Sequence, residues 1–247
     1  MMISLAGKTV LVTGGAVRVG AFICRAFAAQ GARLVIHCFR SRAAAETLCR
    51  ELGGPDAGHR IAVCDLTDRA AAESMIRQYA PDVLVNNAAR YVCAGLPEER
   101  ESDARMQYQV NFLTPAAMIR TLAEVRGDRE TSVVNILDCN IRRTDPGSFS
   151  YALSKKSLAA ATRAAALQCA PHLRVNAVAP GNMIPPEHLK HLGMRRTAER
   201  LPLKRAVDPA DTAEAAVFLA RCASTTGTVL YVDCGQSLSG AETEDVL

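Results

Sequence analysis

Seven short runs rich in Val, Ile and Leu recur along the 247 residues, with alanine-rich stretches of helical spacing between them. The runs cover residues 9–13, 33–38, 61–65, 83–86, 132–137, 174–179 and 228–233. They mostly lack the apolar–polar alternation of a strand with one wet face. Such runs suit strands buried on both sides of a parallel sheet. Helices are expected at 20–30, 43–52, 69–79, 103–125, 151–169 and 209–221; in the last, Asp208 stands as N-cap before Pro209. Strand–helix alternation of this kind implies one α/β domain over residues 1–247, with a doubly wound, seven-stranded parallel sheet flanked by helices. The long irregular region, 180–207, follows a late strand and is expected to form a lid over a crevice within that domain.

Composition narrows the class. Hydrophobic residues at 49% and charged residues at 22% suit a soluble globular enzyme. No apolar run approaches the roughly 20 residues that span a bilayer, and MMISLAGKTV lacks the pattern of a signal peptide. No membrane association is therefore expected. Nine cysteines without any C-x-x-C spacing argue against a zinc site or a disulfide framework and for a reducing, cytoplasmic setting. His188 and His191 lack a third ligand, so no metal is expected. A net charge of +4, evenly spread, gives no case for nucleic acid; Arg195, Arg196, Lys204 and Arg205 read as a solvated face.

The first run leads into VTGGAVRVG, residues 12–20. Glycines in such a turn let the backbone approach a pyrophosphate, and the next helix N-terminus favours its charge. Gly14, Arg18, Val19 and Gly20 are the candidate contacts. The second run ends VIHCFRS. An acid for ribose hydroxyls is missing there. Arg40, Ser41 and Arg18 instead suit a ribose 2′-phosphate, which points to NADPH. The alternative is that Arg40 opens a solvated helix with Arg42. His37 belongs to the same strand end. Asp65 and Leu66 in CDLTD sit where adenine is expected, although Thr67 or Asp68 can also cap the next helix. Asn87 and Ala88 in VNNAA let the chain run along the cofactor.

Tyr151 and Lys155 are four apart on an expected helix and share a face. An ammonium beside a phenol lowers the phenol's pKa, so Tyr151 is expected to shuttle protons near neutral pH. Thirteen residues before Tyr151 stands Asp138, a carboxylate that only accepts when ionised and that can carry a proton when desolvated. It opposes a ketone's developing oxyanion and suits a substrate with ring nitrogens. The bland alternative pairs Asp138 with Arg142 or Arg143.

Taken in order, TGGAVRVG, CDL, NNAA, Asn111, Tyr151-x-x-x-Lys155 and VNAVAPG resemble the short-chain dehydrogenase/reductase family over nearly the whole chain. The resemblance implies a Rossmann-type domain. It assigns Asn111, Asp138, Tyr151 and Lys155 to catalysis, with Lys155 also on the nicotinamide ribose and Asn111 positioning a water or a backbone kink. Pro180 and Gly181 join the cofactor contacts, and a homotetramer is expected. Two departures, Arg18 for the middle glycine and Asp138 for the usual serine, resemble the pteridine reductase branch, including dihydromonapterin reductase-like proteins. That branch implies reduction of a dihydropterin or dihydrofolate, with Tyr91 stacking on the heterocycle, Arg18 near its carbonyl and Met183 on the pocket wall. The competing readings are a reductase of a 3-oxoacyl, sugar or steroid carbonyl, and an NADP-binding regulator without turnover.

Overall fold

The computed structural model describes residues 2–143, 145–183 and 199–238. Seven parallel strands form one sheet in the order β3-β2-β1-β4-β5-β6-β7: β1 Thr9–Val12, β2 Arg33–Cys38, β3 Arg60–Val63, β4 Val83–Asn86, β5 Thr131–Ile136, β6 Leu173–Pro180 and β7 Val229–Val232. The order reverses between β1 and β4, so a crevice opens at their carboxyl ends. The helices are α1 Arg18–Ala29, α2 Arg42–Glu51, α3 Arg69–Tyr79, α4 Glu101–Tyr108, α5 Thr114–Arg126, α6 Phe149–Gln168 and α7 Pro209–Arg221. No helix among the described residues is long and apolar enough to cross a membrane.

Successive strand residues face opposite sides, and the core divides accordingly. Val10, Val12, Leu34, Ile36, Val83 and Val85 pack with Ile23, Phe27 and Leu219 of α1 and α7. Leu11, Val35, Leu84 and Val133 pack with Met75, Ile76, Met118 and Leu122 of α3 and α5. Both faces are dry, which is why the runs in the sequence do not alternate.

The expected helix over 103–125 is in fact two. A π turn at Gln109–Leu113 separates α4 from α5, and buried Asn111 sits at its centre. The Asn111 side chain donates to Arg90 O at 2.9 Å and to Ser154 Oγ at 3.0 Å, and accepts from Arg90 N at 2.7 Å. Those bonds explain why the ladder bulges at this residue. Of the expected lid, residues 184–198 lie outside the described residues, and with them His188, His191, Arg195 and Arg196.

The amino edge of the sheet is fastened by Asp82. Its carboxylate accepts from Thr9 N at 2.8 Å and from Arg126 Nη2 at 2.7 Å, joining β1, β4 and α5. Arg126 is buried and also donates to Ala80 O and Thr131 Oγ1. Burial works to raise the Asp82 pKa, but the Thr9 amide and the Arg126 guanidinium outweigh it and hold it below the usual value. Its stabilising contribution is therefore whole above about pH 4 and fades as pH falls through the depressed native value. Asp82→Ala leaves Arg126 without its counter-charge. We expect a loss of about 3 kcal/mol at neutral pH, read as a lower urea midpoint, with the gap from wild type narrowing below about pH 4.

Candidate active site

The turn after β1 is built by hydrogen bonds from three directions. Gly14 has φ +61°, and its N–H donates to His37 Nδ1 at 3.1 Å. The other ring nitrogen, Nε2, lies 3.0 Å from Cys64 O. Because Nδ1 accepts, the proton is on Nε2, and burial lowers the pKa and keeps the ring neutral. His37 was expected among the cofactor contacts. Both its nitrogens are spent on the protein, so its ring shapes the turn. Asn87 Nδ2 donates to Thr13 O at 2.8 Å and Gly14 O at 3.2 Å. Thr13 Oγ1 accepts from the amides of Asn87 and Ala88 at 2.9 and 3.0 Å. Thr13 has a part in the site that its place in the glycine motif does not announce.

Helix α1 then packs so closely that a Cβ on Gly20 would stand 2.1 Å from Gly14 O. No acidic residue lies in the first turn of α1, and no side chain caps it. A tight turn that opens onto an uncapped, acid-free helix start fits a dinucleotide pyrophosphate. Arg18 has φ +51°, the left-handed conformation that a glycine adopts freely. At the place of the family's usual glycine, an arginine thus takes a conformation that glycine adopts freely. Val19 packs on the apolar core.

At the end of β2, Arg40 is exposed, with its guanidinium over the Phe39 ring at 5.2 Å. Arg42, by contrast, pairs with Glu46 at 2.9 Å. Ser41 stands at the N-cap of α2 without a side-chain cap bond. Asp65 Oδ1 accepts from Thr67 N at 2.9 Å, whereas Asp68 caps α3. Leu66 is buried, and its carbonyl accepts from Thr114 Oγ1 at 2.8 Å. Pro180 ends β6. A Cβ on Gly181 would meet Asp233 Cα at 2.9 Å, so the chain passes over β7 only with glycine there. Met183 was expected on the substrate wall. Its sulfur receives the Thr212 hydroxyl of α7 at 3.2 Å.

Across the crevice, Tyr151 Oη donates to Asp138 Oδ2 at 3.2 Å. The other carboxylate oxygen accepts from Asn140 N at 2.8 Å, which fixes the loop after β5. Lys155 is buried and donates to Ile136 O at 2.7 Å, its Nζ 5.9 Å from the Tyr151 ring centroid. Ser154 Oγ links Asn111 to Tyr151 O. Asn111 thus spends both amide hydrogens on protein atoms and acts through the kink it makes. Tyr91 stands edge-on to Tyr151, with ring centroids 4.8 Å apart and planes at 87°. The structure brings Asn111, Asp138, Tyr151, Lys155 and Tyr91 together; Arg142 lies over the Tyr231 ring instead.

The electrostatics correct one expectation. Burial, then the charge of Asp138 and its hydrogen bond, push the Tyr151 pKa well above its ordinary value. The phenol is neutral here and not the ready phenolate that Lys155 alone suggests. Burial also raises Asp138, against the pull of Asn140 N, Lys155 and Tyr151. Desolvation lowers Lys155 to about 8, with Asp138 opposing the shift. This arrangement can hold a proton on Tyr151 or Asp138 and release it to an acceptor in the crevice.

Comparisons with known proteins agree with this geometry. A family model described as enoyl-(acyl carrier protein) reductase matches residues 15–237. Among solved structures, the chain is similar to FolM alternative dihydrofolate reductase 1 from Brucella canis complexed with NADP. The two are 30% identical with a TM-score of 0.86, over 99% of this chain and 100% of that one. A putative betaketoacyl-ACP reductase superposes with a TM-score of 0.84 at 31% identity, over 94% of this chain and 98% of that one. Among sequence relatives, the L-fucose dehydrogenase of Bos taurus is 34% identical over 250 residues, 94% of this chain and 90% of that protein. A Gly14 turn, a Tyr151–Lys155 pair and a kinked Asn111 on one parallel sheet, matched along nearly the full chain, place this protein in the short-chain dehydrogenase/reductase family of oxidoreductases.

Proposed function

We propose that the protein is an NADPH-dependent reductase acting on a C=N bond of a dihydropterin or dihydrofolate. The observation that carries this reading is the Tyr151–Asp138 hydrogen bond, made where the family usually has a serine. When bound, the cofactor supplies the hydride. The chain's own part is to hold the ring and deliver a proton. Asp138, whose pKa burial raises, can accept from ring N–H groups when ionised or pass a proton to a ring nitrogen when protonated. Tyr151, neutral and in hydrogen-bond contact with it, resupplies that proton. Tyr91 offers a flat face beside Tyr151 for the heterocycle. Arg40 and Ser41 at the end of β2 suit the 2′-phosphate, with Arg18 serving either the cofactor phosphates or the substrate carbonyl. The name of the FolM neighbour supports the substrate class, and its bound NADP supports the cofactor. We include in the proposal the homotetramer that the family resemblance implies.

A second reading, reduction of a sugar or 3-oxoacyl carbonyl, draws on the names of the L-fucose dehydrogenase and the betaketoacyl-ACP reductase. An ionised Asp138 opposes it, because a carboxylate repels a developing alkoxide. A regulator without turnover would have no use for the Tyr151–Asp138–Lys155 set.

Three outcomes are expected. NADPH oxidation by the purified protein should proceed with dihydrobiopterin, dihydromonapterin or dihydrofolate. In Asp138→Ser it should fall by about 10²-fold or more. Wild type that ignores all three, beside an Asp138→Ser variant that gains ketone reduction, sinks the pterin reading and leaves the fold intact. Arg40→Ala should weaken NADPH relative to NADH by roughly 10- to 100-fold in kcat/KM, as loss of a charged hydrogen bond predicts. An unchanged ratio would remove Arg40 from the phosphate site. Finally, Asp138 raises the pKa of both Lys155 and Tyr151. Removing its charge lowers both, so the alkaline limb of the pH–rate profile, expected near the Lys155 value of about 8, should move to lower pH in Asp138→Asn.

A further inference from the structure

We propose that Glu99, acting through Gln107, is a positioning residue: it fastens the 91–99 segment to the start of α6 and so fixes Tyr91 against Tyr151. Helix α6 begins at Phe149 with no acidic residue in its first turn and no side-chain cap from Ser148. Glu99, about fifty residues earlier, serves that start from outside. Its Oε2 accepts from Ser150 Oγ at 2.6 Å and its Oε1 from Ser150 N at 3.3 Å. A carboxylate at a helix N-terminus satisfies open amides and opposes the positive end of the dipole. Glu99 Oε1 also accepts from Gln107 Nε2 at 3.2 Å. Gln107, on α4, is fully buried, and its Oε1 accepts from Val92 N at 2.9 Å.

The two ends of this chain of bonds are informative. Ser150 is the residue before Tyr151, and Val92 is the residue after Tyr91. The bonds therefore tie together the immediate neighbours of the two rings that meet at 4.8 Å. Two further stitches run between the same stretches, Phe149 N to Ala94 O at 3.0 Å and Cys93 Sγ to Gly147 O at 3.3 Å. The first joins backbone atoms and the second a cysteine thiol; with the Asn111 bonds to Arg90 and Ser154 they hold the two stretches together, and Glu99 and Gln107 add the link that runs from Ser150 to Val92. The inference rests on Tyr151 being the reacting acid. It is indifferent to whether the substrate is a pterin or a carbonyl compound.

The chain has five tyrosines and no tryptophan, so near-UV circular dichroism reads tyrosine packing directly. Wild type, Glu99→Gln, Glu99→Ala and Gln107→Leu are compared well below their melting temperatures, with Tyr91→Leu marking the signal lost with the ring pair. Glu99→Ala and Gln107→Leu should lose that same part of the spectrum. Their KM, for whichever dihydropterin or ketone wild type reduces, should rise on the order of tenfold or more, while NADPH affinity stays within about twofold. Glu99→Gln should keep most of both, because its amide oxygen still accepts from Ser150. A Glu99→Ala protein that melts earlier but keeps the tyrosine signal and KM makes Glu99 a structural cap only, and the proposal falls. Should that variant not fold, Gln107→Leu decides by the same two readouts. Failure to reduce any dihydropterin overturns the substrate reading above and leaves the spectroscopic comparison untouched.

Discussion

The hydrogen bond from Tyr151 to Asp138 exists because two distant stretches finish at one edge of a parallel sheet. Strand β5 runs out at Ile136 and releases Asp138 two residues later. Helix α6 brings Tyr151 back over the same edge, and one turn on Lys155 is anchored to the Ile136 carbonyl. The end of one strand thus sets the height of all three groups. Each group also fixes the state of the others. The charge of Asp138 favours the Lys155 ammonium, that ammonium favours the carboxylate, and the carboxylate keeps the proton on Tyr151. Changing one member resets the remaining two, as expected of strongly interacting sites.

The sign of the Tyr151 shift shows why a pair motif misleads when a third charge is near. Read alone, a lysine one turn away favours the phenolate. In the structure the Lys155 ammonium is 5.9 Å from the ring centroid, and its hydrogen bond goes to Ile136. The Asp138 carboxylate touches the hydroxyl at 3.2 Å. The charge in contact with the hydroxyl prevails, and burial acts in the same direction. A neutral phenol is the form that gives a proton away, which suits reduction better than oxidation.

The layered fold was legible because strands buried on both faces and amphipathic helices leave periodic marks, and every one of the seven strands lies where the apolar runs do. What local pattern could not carry was pairing across long separations. The π turn follows from Asn111 reaching Arg90 and Ser154. The role of His37 depends on the Gly14 amide and the Cys64 carbonyl, 23 and 27 residues away. Glu99 lies in a polar stretch, PEERESDAR, that reads only as a helix start, because its partner Ser150 is 51 residues distant. Met183 has an ordinary pocket-lining character in sequence, and only the packing of α7 shows its sulfur facing Thr212.

The relatives pull toward different substrates while agreeing on the fold, and the structure explains how both can hold. Identities of 30–34% along nearly the whole chain go with one shared fold, at TM-scores of 0.84 and 0.86 for the two solved structures. Substrate choice is made by far fewer atoms. A serine at position 138 donates to a carbonyl oxygen through the whole reaction. An aspartate there either accepts from N–H groups or, once protonated, gives its proton to nitrogen. The sheet does not depend on that exchange, since Asp138 stands two residues past the end of β5. The reacting bond is not indifferent, because the charge it develops meets a donor in one case and a carboxylate in the other. One side chain at the end of β5 therefore says more about the substrate than the identity averaged over the remaining chain.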